Sequence, residues 1–152
     1  MTKKSKRLAL ILKVIAKSFK KLLMANRLKI PENYQAVMPY LIVQHAAAFS
    51  SFMQKVFDAK ETLTAMRDEN TIMHGEIMVG ESTIMFADAT DQFGIRNAGM
   101  FIYVPDADIV YNKALENGAT VITKMSDQNY GRSGGVLDPF GNTWWITAPG
   151  NE

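Results

Sequence analysis

The chain has no cysteine, and its 152 residues include only two histidines, His45 and His74. The lack of thiols excludes disulfides, thiolate metal sites and cysteine nucleophiles. Long apolar runs are also missing, because Lys13 interrupts the N-terminal run before it reaches the ~20 residues that a transmembrane helix needs. No small-x-small cleavage site follows that run, so a secretory signal peptide is not indicated and we expect a cytoplasmic protein.

Acidic residues are absent from residues 1–29, which carry ten Lys and Arg. Residues 30–152 carry seven basic and fifteen acidic side chains, a formal charge of −8 that the overall +2 conceals. This longer part lacks the basic face that nucleic acids require, so we expect no nucleic-acid partner. Its length and the 47% hydrophobic content of the chain indicate one domain with a buried core.

Residues 1–33 are predicted to form a cationic amphipathic leader helix and a linker. Lysines fall largely between apolar side chains that recur at helical spacing: Leu8, Ile11, Leu12, Ile15, Phe19, Leu22 and Leu23. Three interpretations stay open. Residues 1–24 could bind an anionic membrane surface or an acidic partner. The helix could instead pack on its own acidic domain or on a second subunit. Alternatively, Met24 is the natural start, and residues 1–23 have no function.

A repeated pattern occupies the rest of the chain. Residues 131–146 indicate a strand, a tight turn at 138–141 (Asp-Pro-Phe-Gly) and a second strand, since proline favours the beginning of such a turn and glycine its end. A weaker copy at 79–87 lies 61 positions upstream, and the apolar run 40–43 lies 61 positions before the run 101–104. The sequence therefore contains the same unit twice.

Each apolar run leads into a segment with helical spacing, at 46–57 and at 107–118, and Asp106 is the predicted N-cap of the second helix. The order strand, helix, three strands thus occurs twice, in modules at about 36–88 and 98–149. Neither half is long enough to bury a core alone. We predict an α+β domain of two paired βαβββ modules, which form an open, cavity-lining mixed sheet with the helices outside.

This paired order, the ending 132–146, the opening 39–43 and the segment 72–77 resemble the glyoxalase/bleomycin resistance protein/dioxygenase group, the vicinal oxygen chelate superfamily. The chain is most similar to a bacterial glyoxalase-like branch sometimes labelled demethylubiquinone methyltransferase-like. The resemblance covers about 34–149 and identifies 34–150 as a glyoxalase/bleomycin-resistance-like domain. It also implies a homodimer.

The resemblance further implies a divalent metal, held by His, Gln or Glu from the first and last strands of each module. Those positions fall at Met38, Gly99, Ile84 and Trp145, and none of these residues is such a ligand. We therefore expect no metal centre and no resident cofactor. The expected function is binding of a small aromatic or amphipathic molecule in the sheet cavity, as the drug-binding members of the group do.

His74 and Glu76 are the candidate catalytic residues. They lie two apart in the predicted strand 72–79, so they share one face of the sheet. If that face lines the cavity, His74 could be a base, a weak metal ligand or a donor to substrate; otherwise it is a structural residue. The alternative function is accordingly a metal-dependent lyase or dioxygenase-like enzyme that uses this pair, with water or substrate completing the metal shell.

Five aromatic and basic side chains are the candidate ligand-binding residues. Tyr40, Phe101 and Trp145 are expected to point to the same side of their strands as the positions where the family has metal ligands. They therefore line an aromatic cavity or belong to ordinary core. Trp144 points the other way and is expected beneath the helices. Tyr130 and Arg132 lie in the loop before the seventh strand.

The role of Arg132 has two interpretations. Its guanidinium could hold a ligand carboxylate or phosphate through two parallel hydrogen bonds. It could equally be a surface residue that pairs with Asp127 or Asp138.

Two further features are not assigned a function. Residues 131–135 match the G-x-S-x-G nucleophile pattern, but that motif requires a strand–turn–helix elbow and a later histidine, and no histidine follows His74. His45 follows the first predicted strand, where a helix-start residue is the simpler interpretation.

Overall fold

The computed structural model describes residues 12–18 and 28–150. The chain divides into two units, Met1–Glu32 and Asn33–Glu152, and each is described by itself. In the first unit residues 12–18 are helical, and most of the predicted leader helix lies outside the described residues. Within the described ranges, no helix is long and apolar enough to cross a membrane.

The second unit repeats the order strand, helix, three strands. The first module consists of β1 (Tyr40–Val43), α1 (Ala46–Phe57), β2 (Lys60–Met66), β3 (Ile72–Val79) and β4 (Ser82–Asp88). The second consists of β5 (Gly99–Tyr103), α2 (Ala107–Glu116), β6 (Thr120–Gln128), β7 (Gly131–Leu137) and β8 (Thr143–Pro149). The strand orders are β1-β4-β3-β2 and β5-β8-β7-β6, and the first pair of each sheet is parallel. The predicted α+β class with paired modules is confirmed, as two open four-stranded mixed sheets.

The two equivalent turns are built on glycines in the left-handed region. Gly80 between β3 and β4 has φ 57°, and Gly141 between β7 and β8 has φ 93°. A side chain at either φ is disfavoured, which explains why this residue type recurs at the offset of 61. The turn predicted at 138–141 is therefore present.

The two helices begin differently although the modules are repeats. In α2 the side chain of Asp106 accepts from the backbone N–H of Ile109 at 3.0 Å, which is the predicted N-cap. In α1 the N-cap residue is His45, whose side chain makes no capping bond and whose φ is 59°. Asp88 on β4 supplies the missing acceptor at the start of α1, since its Oδ1 accepts from Ala46 N–H at 2.9 Å.

One hydrophobic core joins the helices to the inner side of both sheets. The Phe57 ring of α1 lies 4.6 Å from the indole of Trp144 on β8, so the first helix also packs on the second module. Trp144 is buried beneath the helices, as its strand parity predicted. Because alternate strand residues face opposite sides, the other half of each strand forms a second surface, which we call the open face.

Candidate functional site

Four side chains form one hydrogen-bonded chain on the open face of the first sheet. The Tyr34 hydroxyl lies 3.0 Å from Glu76 Oε1 and 2.8 Å from Oε2. Glu76 Oε1 lies 3.0 Å from His74 Nε2, and His74 Nδ1 lies 3.0 Å from the Tyr40 hydroxyl. The structure thus brings three of the candidate residues together and adds Tyr34. We call these four the relay residues.

Strand register explains why the relay residues meet. Met85 on β4 stands opposite both Tyr40 on β1 and Glu76 on β3, so all three point to one side. The Tyr40 ring reaches past Met85 and meets the imidazole of His74 edge-on, at 5.5 Å between centroids. Tyr34 precedes β1, and its neighbour Gln35 fixes this segment.

Two hydrogen bonds of Gln35 anchor the segment to the second half of the same module. Its Oε1 accepts from Thr83 N–H at 3.0 Å, and its Nε2 donates to the Glu81 carbonyl at 2.6 Å. The Tyr34 phenol is consequently held against Glu76 by the β3–β4 hairpin and not by a strand of its own.

The relay runs from solvent to a buried carboxyl group. Tyr40 is 49% exposed, whereas Glu76 is only 5% exposed. The hydrogen bond to Glu76 raises the pKa of Tyr34, so this phenol stays protonated and donates. When Glu76 is ionised and His74 is neutral, Nε2 donates to the carboxylate and Nδ1 accepts from Tyr40, because a carboxylate can only accept. The result is an exposed hydroxyl, a base and a carboxylate that orients the base.

Aromatic side chains cover the open face of the second sheet. Phe101 and Trp145 are partners in the β5–β8 register. The Phe101 ring lies 5.2 Å from Tyr103 and 6.2 Å from Tyr130. Three candidate ligand-binding residues therefore lie close together, and all four aromatic side chains remain at least 37% exposed.

Arg132 is placed elsewhere. Its guanidinium donates through Nε and Nη2 to both carboxyl oxygens of Asp108 and through Nη1 to Asp127 at 3.1 Å. These hydrogen bonds raise the pKa of Arg132, and the bond from Arg132 lowers the pKa of Asp108. The side chain lies toward α2, on the opposite side of β7 from the aromatic residues. Arg132 therefore pairs with Asp127 at the surface, which one of the two interpretations of the sequence included. It also pairs with Asp108, which neither interpretation included.

The two unassigned features have structural roles. Ser133 is buried, and its hydroxyl lies 2.8 Å from that of Thr147 within continuous strands, so no nucleophile elbow is present at 131–135. The His45 carbonyl accepts from Ala48 and Phe49 N–H at 2.9 and 3.0 Å, which starts α1.

A cleft of about 650 Å³ lies between the start of β1, the β3–β4 turn and the β5 strand. Phe101 and Tyr103 line it from the second module, and Gln35 and Pro39 line it from the first. The relay residues do not themselves line it. Tyr34 and Tyr40 are chain neighbours of Gln35 and Pro39, so the cleft borders the segment from which these two tyrosines project.

A sequence profile of the Glyoxalase/Bleomycin resistance protein/Dioxygenase superfamily matches residues 34–146. The chain belongs to this superfamily. The resemblance inferred from the paired modules and the ending of the chain is thereby confirmed.

Uncharacterized proteins of Mycobacterium bovis and Mycobacterium tuberculosis are similar to this member of the superfamily. Each is 32% identical over 129 residues, which cover 77% of this chain and 85% and 76% of the respective relatives. Both are called uncharacterized, so their names give no information about an activity.

Solved structures with the same fold include TioX from Micromonospora sp. ML1 and the fosfomycin resistance protein FosX from Mesorhizobium loti. TioX superposes with a TM-score of 0.61 at 16% identity and covers 78% of this chain and 98% of its own. FosX gives 0.52 at 14% identity over 74% and 90%. At these identities the likeness concerns the fold alone.

The metal implied by the superfamily does not fit the residues present. The positions expected to hold ligands carry Met38, Gly99, Ile84 and Trp145, none with a suitable nitrogen or oxygen donor. Across the described parts of the chain, no three His, Cys, Asp or Glu side chains cluster in a way that could hold a metal ion. Both ring nitrogens of His74 and both oxygens of Glu76 are already hydrogen-bonded, so we derive no metal-dependent step.

Sequence reasoning missed two site residues, for different reasons. Tyr103 lies two positions after Phe101 on one strand, so the alternation that identified Phe101 could also have identified it. Tyr34 lies in an irregular segment, 42 positions from Glu76. No local pattern pointed to that contact.

Proposed function

We propose that this chain binds a small aromatic or amphipathic molecule in the cleft between its two modules, without the usual metal centre. The observation that carries the proposal is the apolar, aromatic wall formed by Phe101 and Tyr103 beside an open volume of about 650 Å³. Ligand sites typically have a volume of about 300–1,000 Å³ and are lined mainly by apolar and aromatic groups with a few polar anchors. Here the polar side chains that line the cleft come from the first module: Gln35, Glu81, Ser82 and Thr83.

FosX, a protein of the same fold, supports the same class of function. That protein is described as a fosfomycin resistance protein, so one protein of this fold acts in resistance to a small molecule. The exposed aromatic surface of the present chain favours a flatter and more apolar ligand than one bound through a metal. We expect stacking and burial of apolar area to supply most of the affinity.

The test is binding of anilinonaphthalene sulfonate, an amphipathic aromatic probe, followed by fluorescence and calorimetry. Phe101→Ala is expected to weaken binding about 5–30-fold, since truncation of a central aromatic contact typically costs about 1–2 kcal/mol. Ile109→Ala is the matched control, because Ile109 is an exposed apolar residue on α2. Equal affinity in the two variants, at unchanged melting temperature, would contradict the proposal.

An enzyme remains the second candidate, and the hydrogen-bonded relay favours it. If the enzyme depends on a metal, adding Mn, Fe, Ni, Co or Zn to the metal-stripped protein should raise its melting temperature in a saturable way. A ligand at about 100 times its dissociation constant stabilises the folded form by roughly 2.7 kcal/mol. We expect no such rise; a rise that His74→Ala abolishes would support the metal-dependent enzyme.

We also propose that the protein acts as a homodimer. The exposed aromatic residues of the second sheet form an apolar surface of the kind that partners cover. Light scattering at micromolar concentration tests this, with a monomeric mass as the contradicting result. A shift toward monomer in Phe101→Ala would place the open face in the dimer interface.

A further inference from the structure

The relay joins an exposed hydroxyl to a buried carboxylate through one imidazole. Its three hydrogen bonds involve side chains from β1, β3 and the segment before β1, each at 2.8–3.0 Å. A hydroxyl, a base and a carboxylate in this order are an arrangement by which proteins move a proton to and from a bound group.

The protonation state of His74 decides what Tyr40 offers to a ligand. With a neutral imidazole, the Tyr40 O–H donates to Nδ1, so the free lone pairs of its oxygen can accept from a ligand. With a protonated imidazole, both ring nitrogens donate, and the Tyr40 O–H is released toward the ligand. A protonated imidazole would form an ion pair with Glu76, whose Oε1 lies 3.0 Å from Nε2, and the Tyr34 hydroxyl holds Glu76 in position.

Few charged groups face this imidazole. From its own strand and the neighbouring segment it meets Glu76 and, through it, Tyr34; from β1 it meets Tyr40. Its β2 partner is Ala65, and Met85 is the β4 residue between Tyr40 and Glu76. Lys60, exposed and opposite Met78, is the charged β2 residue on this side. Histidine is also the side chain that changes charge most readily at physiological pH.

We propose that the relay takes the proton of a phenolic or enolic hydroxyl on the bound molecule. The ligand O–H transfers its proton to the Tyr40 oxygen while the proton of Tyr40 passes to His74 Nδ1. The bound ligand becomes a phenolate or enolate, and the imidazolium is paired with Glu76. The negative charge created on the ligand is balanced by the positive charge created on His74, and the reverse transfer restores both groups.

This inference rests on the proposed function, and it narrows the ligand to an aromatic or conjugated molecule with a weakly acidic hydroxyl. The aromatic side chains of the cleft would hold the ring, and the ligand must extend from the cleft to the Tyr40 hydroxyl, because Tyr40 does not itself line the cleft. Tyr40 would be the catalytic residue that touches the ligand, whereas Glu76 and Tyr34 are positioning residues.

The experiment uses 4-nitrophenol, whose absorption distinguishes phenol from phenolate, titrated with the full-length protein at several pH values. We expect the bound probe to ionise at a pH about one unit lower than the free probe, a tenfold change in its ionisation equilibrium. Tyr40→Phe and His74→Gln should return the ionisation of bound probe to that of free probe. Glu76→Gln should reduce the shift.

Tyr111→Phe is the matched control, because it also removes one hydrogen-bonded phenol oxygen, here bonded to the Thr123 carbonyl on the helix side. It should leave the shift unchanged. Tyr40 is exposed, so Tyr40→Phe keeps the test valid even if His74→Gln fails to fold. Binding with an unshifted spectrum, or an equal shift in Tyr40→Phe, overturns the relay while leaving small-molecule binding intact. Binding of anilinonaphthalene sulfonate but not of nitrophenol also overturns it; failure of both probes to bind overturns the proposed function.

Discussion

The indole of Trp145 lies over Gly135, so close that a Cβ at position 135 would stand 2.6 Å from Cζ3 of the ring. The two residues are direct partners in the β7–β8 register. Real Cβ atoms do not approach a ring carbon to this distance, so the flat position of the indole depends on the missing side chain. The shape of the aromatic open face is thus set partly by a glycine.

Gly135→Ala is therefore expected to displace the Trp145 ring toward solvent and to destabilise the fold by about 1–3 kcal/mol, the usual range for inserted methyl groups in packed sites. Tryptophan emission should shift to longer wavelength, and probe binding should weaken. Gly94→Ala is the control, because a Cβ there meets only Arg96 Nη1, at the ordinary contact distance of 3.7 Å, and Gly94 does not line the cleft. Similar emission and stability in both variants would show that the indole has room to move.

Asp138 organises the turn between β7 and β8. It is buried, and its two oxygens accept from Phe140 N–H at 2.9 Å, Asn142 N–H at 2.8 Å, Asn142 Nδ2 at 3.0 Å and Trp144 Nε1 at 2.9 Å. Asp138→Ala would leave these donors buried without partners, each at a cost of about 1–3 kcal/mol. We expect a loss of at least about 3 kcal/mol in urea unfolding, against almost none for exposed Asp91→Ala. A loss below about 1 kcal/mol would mean that water replaces the carboxylate.

The pair formed by Arg132 and Asp108 predicts a pH-dependent contribution to stability. The hydrogen bond from Arg132 holds the pKa of Asp108 below its usual range. A carboxyl group whose pKa is lower in the folded than in the unfolded state stabilises the fold fully at a pH above its unfolded pKa, which is about 4. This stabilisation is lost as the pH falls through the pKa of the folded state. Arg132→Gln should thus be less stable than wild type at neutral pH, and the difference should shrink in acid.

Urea unfolding at several pH values from neutral to about pH 3 would measure that difference. Both side chains are exposed, so the difference is expected to be small. Lys113→Gln is the control, because Lys113 makes one longer contact, 3.4 Å to Asp58. A difference between wild type and Arg132→Gln that is constant across this range would assign the effect to packing of the arginine stem.

Much of the fold followed from local patterns in the sequence. The 61-residue offset was recognised from turn glycines and apolar runs. The backbone conformation of the turns requires the glycines, and burial requires the apolar runs, so both features depend on only a few residues of sequence. The same alternation placed His74 beside Glu76 on one side of β3. Such features are predictable because each depends only on neighbours along the chain.

The contacts that complete the site could not be predicted in this way. The sequence predicts Arg132 in the loop before β7 as a candidate ligand clamp, whereas in the structure it lies on β7 and its side chain points toward α2, where it pairs with Asp108. The bond between Tyr34 and Glu76 joins an irregular segment to a strand 42 positions away. Side chains outside regular elements have no periodicity, so three-dimensional packing alone determines their partners.

The unequal helix starts give the last prediction. Asp88 is buried on β4 and accepts from two backbone N–H groups, Ala46 at 2.9 Å and Ile72 at 2.7 Å. It therefore caps α1 and also fixes the start of β3, whereas Asp106 caps α2 from an exposed position with one bond. Asp106→Ala should cost about 1 kcal/mol, as typical N-cap losses do. Asp88→Ala should cost clearly more, about 2–5 kcal/mol, because two buried donors lose their acceptor.

Hydrogen exchange would show where each loss acts. In Asp88→Ala the amides of Ala46 and Ile72 should lose protection together, although they belong to a helix and a strand of the first module. In Asp106→Ala the loss should stay within the first turn of α2, since no strand shares that cap. Equal stability losses in the two variants, or exchange in Asp88→Ala confined to α1, would mean that the bond to Ile72 adds nothing and that the two modules start their helices equivalently after all.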